Sequence, residues 1–95
     1  VKLEWSRLAF ADRDEIFDYL AADNPKAALK IDKIIKQELE LLVDYPERGR
    51  PGRVEGTKEL VITRTPYVVA YRIQAARIRI LRILHGARAW PETFS

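Results

Sequence analysis

The tripeptide Asp23-Asn24-Pro25 constrains this chain more than any other feature. Asparagine is a favoured helix N-cap, and proline suits the first helical position, where its missing N–H costs nothing. A helix is therefore expected to start at Pro25. Upstream, Ser6 is a second N-cap candidate. A helix from there to about Ala22 puts Leu8, Ile16, Tyr19 and Leu20 on one stripe, with Asp12, Arg13, Asp14 and Asp18 largely facing away. Downstream, Ala28, Ile31, Ile35, Leu39 and Leu42 recur at intervals of three and four, and Ile34 and Leu41 widen that band. Tyr45-Pro46 ends the second helix near Asp44, because proline restricts its predecessor and cannot donate to the preceding turn. Two amphipathic helices joined by about two residues lie antiparallel.

Around this hairpin the apolar pattern changes to a period of two. Residues 2–5 alternate, with Leu3 and Trp5 on one side, as a short half-buried strand does. Residues 46–56 are dense in turn formers and basic side chains and are expected to be a surface loop. Residues 57–65 hold a strand centred on Leu60-Val61-Ile62. Pro66 interrupts it, and strands at 68–73 and 78–85 form a hairpin closed by Gln74-Ala75-Ala76-Arg77. The order β-α-α-β-β-β predicts an α+β fold in which the helical hairpin packs on one face of a largely antiparallel four-stranded sheet, the other face staying partly open. The tail at 87–95, with Trp90, Pro91 and Phe94, is expected to fold back on the sheet edge. A chain of 95 residues, 47% of them apolar, has material for one core, so a single domain over 1–95 is expected.

Several chemistries are excluded by what the chain lacks. Without Cys there is no disulfide framework, thiolate metal site or cysteine nucleophile, which fits a reducing cytosol. One His and scattered carboxylates without ligand spacing predict no metal and no cofactor. Gly49, Gly52 and Gly56 lack the Lys-Ser/Thr that completes a phosphate-binding loop. No Gly-x-Ser-x-Gly is present, and the two serines lie near the ends. No apolar run approaches the roughly 20 residues that cross a bilayer. The first residues show no signal core, so a mature cytoplasmic protein without membrane contact is expected.

Charge is the remaining signal. Residues 1–47 carry 7 basic and 11 acidic side chains, whereas residues 48–95 carry 10 basic and 3 acidic ones, nine of those bases being Arg. Arg offers a planar fork suited to phosphates and carboxylates, which implies an anionic partner: nucleic acid, an acidic protein segment or a phosphorylated ligand. Strict alternation along the last strand puts Arg77, Arg79, Leu81, Ile83 and His85 on one face and Ile78, Ile80, Arg82 and Leu84 on the other. Arg72 and Arg82 then have equal parity on adjacent strands and are expected to form a paired basic patch on the open face. The alternative for each arginine is to reach water or to pair with Glu55, Glu59 or the helix acids. His85 reads either as a structural and partner-contacting residue or as a proton-transfer group that still needs a positioned partner. Trp90 and Tyr71 are candidates for stacking on bases, with core packing favoured for Tyr71.

Five segments taken in order resemble the RelE/ParE superfamily of bacterial toxins, closer to its ParE branch. They are Trp5-Ser6 with the helix that follows, Asp23-Asn24-Pro25-Lys26-Ala27-Ala28, Tyr45-Pro46-Glu47-Arg48-Gly49-Arg50-Pro51-Gly52, Pro66-Tyr67-Val68-Val69-Ala70-Tyr71-Arg72, and the run from Ile83-Leu84-His85-Gly86 through Ala87-Arg88-Ala89-Trp90-Pro91. The resemblance implies the toxin of a type II toxin–antitoxin module, silenced by a cognate antitoxin, linked to growth arrest and plasmid stabilization. ParE-like members inhibit DNA gyrase without cleavage chemistry. RelE-like members are ribosome-dependent mRNA endoribonucleases, in which a basic residue typically follows the tyrosine of the Gly/Pro-Tyr segment; here that position is Val68. The resemblance therefore favours gyrase inhibition. It implies Arg72, Arg82, His85, Arg88 and Trp90 as target- or antitoxin-binding residues. In the alternative, acting on the ribosome and mRNA, Arg64, Arg72, Arg82, His85 and Arg88 compose the cleaving set. A stand-alone nucleic-acid-binding module is a third possibility.

Overall fold

The computed structural model describes residues 1–94. Strand β1 (Lys2–Trp5) leads into helix α1 (Arg7–Ala21) and helix α2 (Pro25–Asp44), followed by a 3-10 turn at Pro46–Arg48 and strands β2 (Arg50–Pro51), β3 (Lys58–Val61), β4 (Tyr67–Gln74) and β5 (Arg77–His85). The sheet has five strands in the order β1-β5-β4-β3-β2. All neighbours are antiparallel except β1 and β5. The fifth strand is β2, two residues inside the segment expected to be loop, where Arg50 and Pro51 pair with Glu59 and Lys58. A two-residue strand ending in proline carries no alternation to detect.

Both expected N-caps are present. The Asn24 side chain accepts from the Ala27 amide at 3.1 Å, and Ser6 Oγ accepts from the Ala9 amide at 3.0 Å. Ser6 Oγ also donates to the Leu81 carbonyl at 2.8 Å, so the cap of α1 is tied to the strand it packs on. The core lies between the helices and one sheet face. Ile35, Leu39 and Leu42 of α2 and Ala9 of α1 meet Leu60, Val69, Tyr71, Ile78, Ile80 and Ile83, with Leu3, Trp5, Ile16 and Leu20 packed around them. Complete burial of each large aliphatic side chain there contributes about 1.5–3 kcal/mol. Tyr71 is a core residue. Its hydroxyl donates to the Pro46 carbonyl at 2.7 Å and accepts from the Gly49 amide at 2.9 Å. A Cβ on Gly49 would come within 2.6 Å of that hydroxyl and 2.9 Å of the Glu59 carbonyl, so the close approach requires glycine.

Three expectations about side-chain direction are corrected. Leu8, Tyr19 and Leu41 are exposed rather than core-facing, and Asp12, expected outside, is buried at 7% exposure. Of the expected stripe, Ile16 and Leu20 pack against the core, whereas the buried positions of α1 are Ala9 and Asp12 in place of Leu8 and Tyr19. On β5 the alternation breaks, because Ala70 pairs with Arg82 while Tyr71 pairs with Ile80, leaving Leu81 as a bulge. An extra residue reverses the parity of everything beyond it. Ile78, Ile80, Ile83 and His85 therefore share the register of the helix-facing residues, while Arg77, Arg79, Arg82 and Leu84 share the outer one. Arg72 and Arg82 thus share the outer register, as expected, but Arg72 stands opposite Arg79 while the Arg82 guanidinium is bound to Asp12, so the two do not form a pair.

The outer face is covered at its centre. Val68 and Ala70 are buried there, and so is Glu59, which pairs with Ala70. The tail crosses this face instead of the sheet edge: Trp90 stacks on Arg53 at 3.8 Å, and Arg53 is bound to Glu59. Ser95, the last residue of the expected tail, lies outside the described residues.

Asp12 is the acid that this packing requires. Asp12→Ala is expected to lower the unfolding free energy by about 3 kcal/mol, as removing one member of a buried ion pair does. Urea denaturation at unchanged m measures it. The same change at exposed Asp14 should leave the midpoint in place. Equal midpoints for the two variants would show that the Asp12 carboxylate does not anchor α1.

Candidate functional site

Past Trp5, strand β1 no longer pairs with β5, and α1 takes over that bare edge. Asp12 supplies what a neighbouring strand would have: its Oδ2 accepts the Ile83 amide at 3.0 Å. The same carboxylate grips the Arg82 guanidinium in a fork, Nε to Oδ2 at 2.7 Å and Nη2 to Oδ1 at 2.9 Å. Beside this contact a groove of about 530 Å³ opens between α1 and the end of β5. Asp12, Glu15, Ile16, Tyr19 and Leu20 form the helical wall. Pro66, Tyr67 and residues 82–85 form the sheet wall, and Arg88 and Ala89 close the end.

His85 is fixed at the rim. Its Nδ1 accepts the Ala87 amide at 3.1 Å, which leaves the ring hydrogen on Nε2. Its ring meets Tyr67 edge-on, with centroids 5.9 Å apart. Burial, with a smaller push from Tyr19, raises the Tyr67 phenol above its ordinary 10.0, against the opposing influence of Arg88, so Tyr67 is a neutral hydroxyl at physiological pH. The groove thus presents an imidazole, the phenols of Tyr19 and Tyr67 and, in Arg88, a guanidinium with no ion-pair partner among the described residues, beside apolar side chains. Among the described residues no cluster of three metal-ligating side chains exists, and no helix is long and apolar enough to cross a membrane.

The predicted site residues divide into separate places. Arg82, His85 and Arg88 line the groove. Trp90 does not: its indole N–H donates to the His85 carbonyl at 3.3 Å, and Arg53 occupies its ring face. Arg64 sits in the β3–β4 turn with a left-handed φ of 68°. Arg72 is on the outer face of β4, where its Nε donates to the Gly56 carbonyl at 3.3 Å. Asp12, Glu15, Tyr19 and Tyr67 were not anticipated. An acid spaced three from Ala9 and four from Ile16 was the available sign for Asp12, since such spacing shares one helix face.

Many C-terminal cations are neutralised within the fold. Arg48 pairs with Glu38, Lys58 with Glu47, Arg50 and Arg53 with Glu59, Arg77 and Arg79 with Glu4, and Arg82 with Asp12. All the acids but Glu59 come from the acidic half of the chain, so the lopsided charge is largely an internal match. Of those ten cations, Arg64, Arg72 and Arg88 form no ion pair with the described residues.

A family model for the ParE toxin of the type II toxin–antitoxin system parDE matches residues 3–90. The chain belongs to this ParE toxin family. It is 36% identical over 91 residues to the Sinorhizobium fredii protein Y4kP, covering 96% of this chain and 94% of that one. It is 37% identical over 84 residues to toxin RelE2 of Caulobacter vibrioides, covering 88% and 93%. Among solved structures, a chain from the chromosomal ParDE toxin–antitoxin system of P. aeruginosa superposes with a TM-score of 0.80 at 35% identity, covering 87% of this chain and 92% of that one. The two helices against a mostly antiparallel sheet are therefore the fold of a type II toxin of the RelE/ParE superfamily.

For this ParE-family toxin, Glu59 sets an acid limit to stability. Burial pushes its carboxyl up, but the Arg53 amide at 2.7 Å and the guanidinium groups of Arg53 and Arg50 outweigh that and hold it below 4.5. A depressed folded pKa gives stability that is present in full above the unfolded value and lost as pH falls through the folded one. Glu59→Gln is expected to flatten the loss of stability below about pH 4.5, followed by thermal melting across an acid series. An unchanged acid limb would remove Glu59 from the explanation.

Proposed function

We propose that this toxin arrests growth without catalysis, by binding DNA gyrase in the cytoplasm, and that its cognate antitoxin silences it by covering the groove between α1 and the end of β5. One observation carries the reading. Val68, at the position where ribonuclease members of the superfamily carry a basic residue, is apolar and 5% exposed, lying under Gly86, where an added Cβ would stand 3.3 Å from Val68 Cγ2. A cation cannot replace it there without burying an unpaired charge. Two further observations agree. His85 spends Nδ1 on a backbone amide, and Arg82 is committed to Asp12. The groove joins an apolar floor to an acidic wall and a basic end, which suits an amphipathic antitoxin segment that folds as it binds.

The second reading, ribosome-dependent mRNA cleavage, is favoured by one arrangement: the His85 imidazole, the Tyr67 phenol and Arg88 all line the groove. Two assays separate the readings. Purified toxin is expected to inhibit gyrase supercoiling while messages in a translating extract stay intact. Uninhibited gyrase with cleaved messages reverses the assignment. Arg88→Ala is expected to weaken growth arrest roughly tenfold or more, the scale of one charge-assisted hydrogen bond, while Lys26→Ala and Lys33→Ala on the exposed side of α2 leave it unchanged. Equal effects would move the contact surface away from the groove.

A further inference from the structure

At the opposite end of β5 from the groove, the sheet register gathers a second set of cations. Lys2 pairs with Arg77, Glu4 with Arg79, and Arg79 with Arg72, so these side chains share the outer face beside the β4–β5 turn. Glu4 is the one carboxylate among them, and it is shared, at 3.1 Å from Arg77 and 3.3 Å from Arg79. Arg77 and Arg79 nevertheless remain 63% and 43% exposed, and Lys2 is exposed. Among the described residues, the one hydrogen bond of the Arg72 guanidinium goes to the Gly56 carbonyl. Like charges directly opposite in an antiparallel ladder are destabilising, so the Arg72–Arg79 pair is relieved when an anion lies across it.

We infer that this cationic face is a contact surface for the phosphodiester backbone of duplex nucleic acid. The side chains present decide between polyanions. A protein partner needs an apolar centre to its interface, and Lys2, Arg72, Arg77, Arg79 and the neighbouring Gln74 offer none. Unpaired bases need an aromatic platform, which the same residues also lack. A duplex backbone needs only cations spaced along it, and Arg77 and Arg79, two residues apart on one strand face, stand about 6.7 Å from each other along the strand. The surface is separate from the groove and does not depend on gyrase being the target.

Binding of purified toxin to a short mixed-sequence DNA duplex, followed by fluorescence anisotropy across a salt series, tests the inference. Wild type is expected to bind at low salt with an affinity that falls steeply as salt rises. The triple variant Arg72→Gln, Arg77→Gln, Arg79→Gln is expected to lose about 2 to 3 units of the log–log salt slope, roughly 0.9 per phosphate contact. The charge-matched variant Lys26→Gln, Lys30→Gln, Lys33→Gln, on exposed positions of α2, is expected to keep the wild-type slope. Arg72→Gln alone breaks no ion pair and is expected to lose about 1 unit, which keeps the test decisive if the triple variant does not fold. No duplex binding at low salt overturns the inference, as does an equal loss in both triple variants. Preference for single-stranded DNA, or stronger competition by polyglutamate of equal charge than by duplex, overturns it as well.

Discussion

The contact between the Asp12 carboxylate and the edge of β5 organises the rest of the molecule. A strand edge presents amides and carbonyls that must find partners. β1 satisfies the first half of that edge, and α1 satisfies the next part with side chains: the Ser6 hydroxyl for the Leu81 carbonyl and the Asp12 carboxylate for the Ile83 amide. The groove opens beside this contact, and Arg82, which completes the charge on Asp12, becomes part of its wall.

The same geometry changes the meaning of the arginines. Read along the chain they form one basic half, and in the fold they serve three ends. Arg50, Arg53 and Arg82 neutralise buried or nearly buried acids and belong to the architecture. Arg88 stands at the groove without an acid partner among the described residues. At the far end of the sheet Arg77 and Arg79 share a single glutamate, and Arg72 stands opposite Arg79. Exposed pairs such as those with Glu4 contribute at most about 1 kcal/mol each, so they leave the cations available to other anions. The toxin thus has two ends with different chemistry, one a mixed apolar groove and the other a sheet face on which cations outnumber their one carboxylate.

Local signals carried well into the structure wherever the physics is local. Asn24-Pro25 starts α2, Ser6 caps α1, Pro46 stops α2, and the three apolar runs of the second half become β3, β4 and β5. The errors arose where a regular period was assumed to continue. The Leu81 bulge inverts the last residues of β5, which turns Arg82 into the outer register opposite Ala70 and brings His85 to the Tyr67 side. On α1 the apolar period predicts Leu8 and Tyr19 on the core side, whereas the buried positions are Ala9 and Asp12. An acid in a buried line looks misplaced until its partner is known, and that partner lies seventy residues away.

From its sequence alone this chain determined two capped antiparallel helices, a sheet rich in β-branched strands, a cation-rich second half and the absence of thiol chemistry, because each depends on neighbours within a few positions. Only the tertiary structure decided which cations are spent on the chain's own acids and which remain free, where the groove opens, and how the arginines divide between its two ends. Charge pairing across a sheet is set by register, and one unpaired residue in β5 shifts that register by a full side-chain alternation.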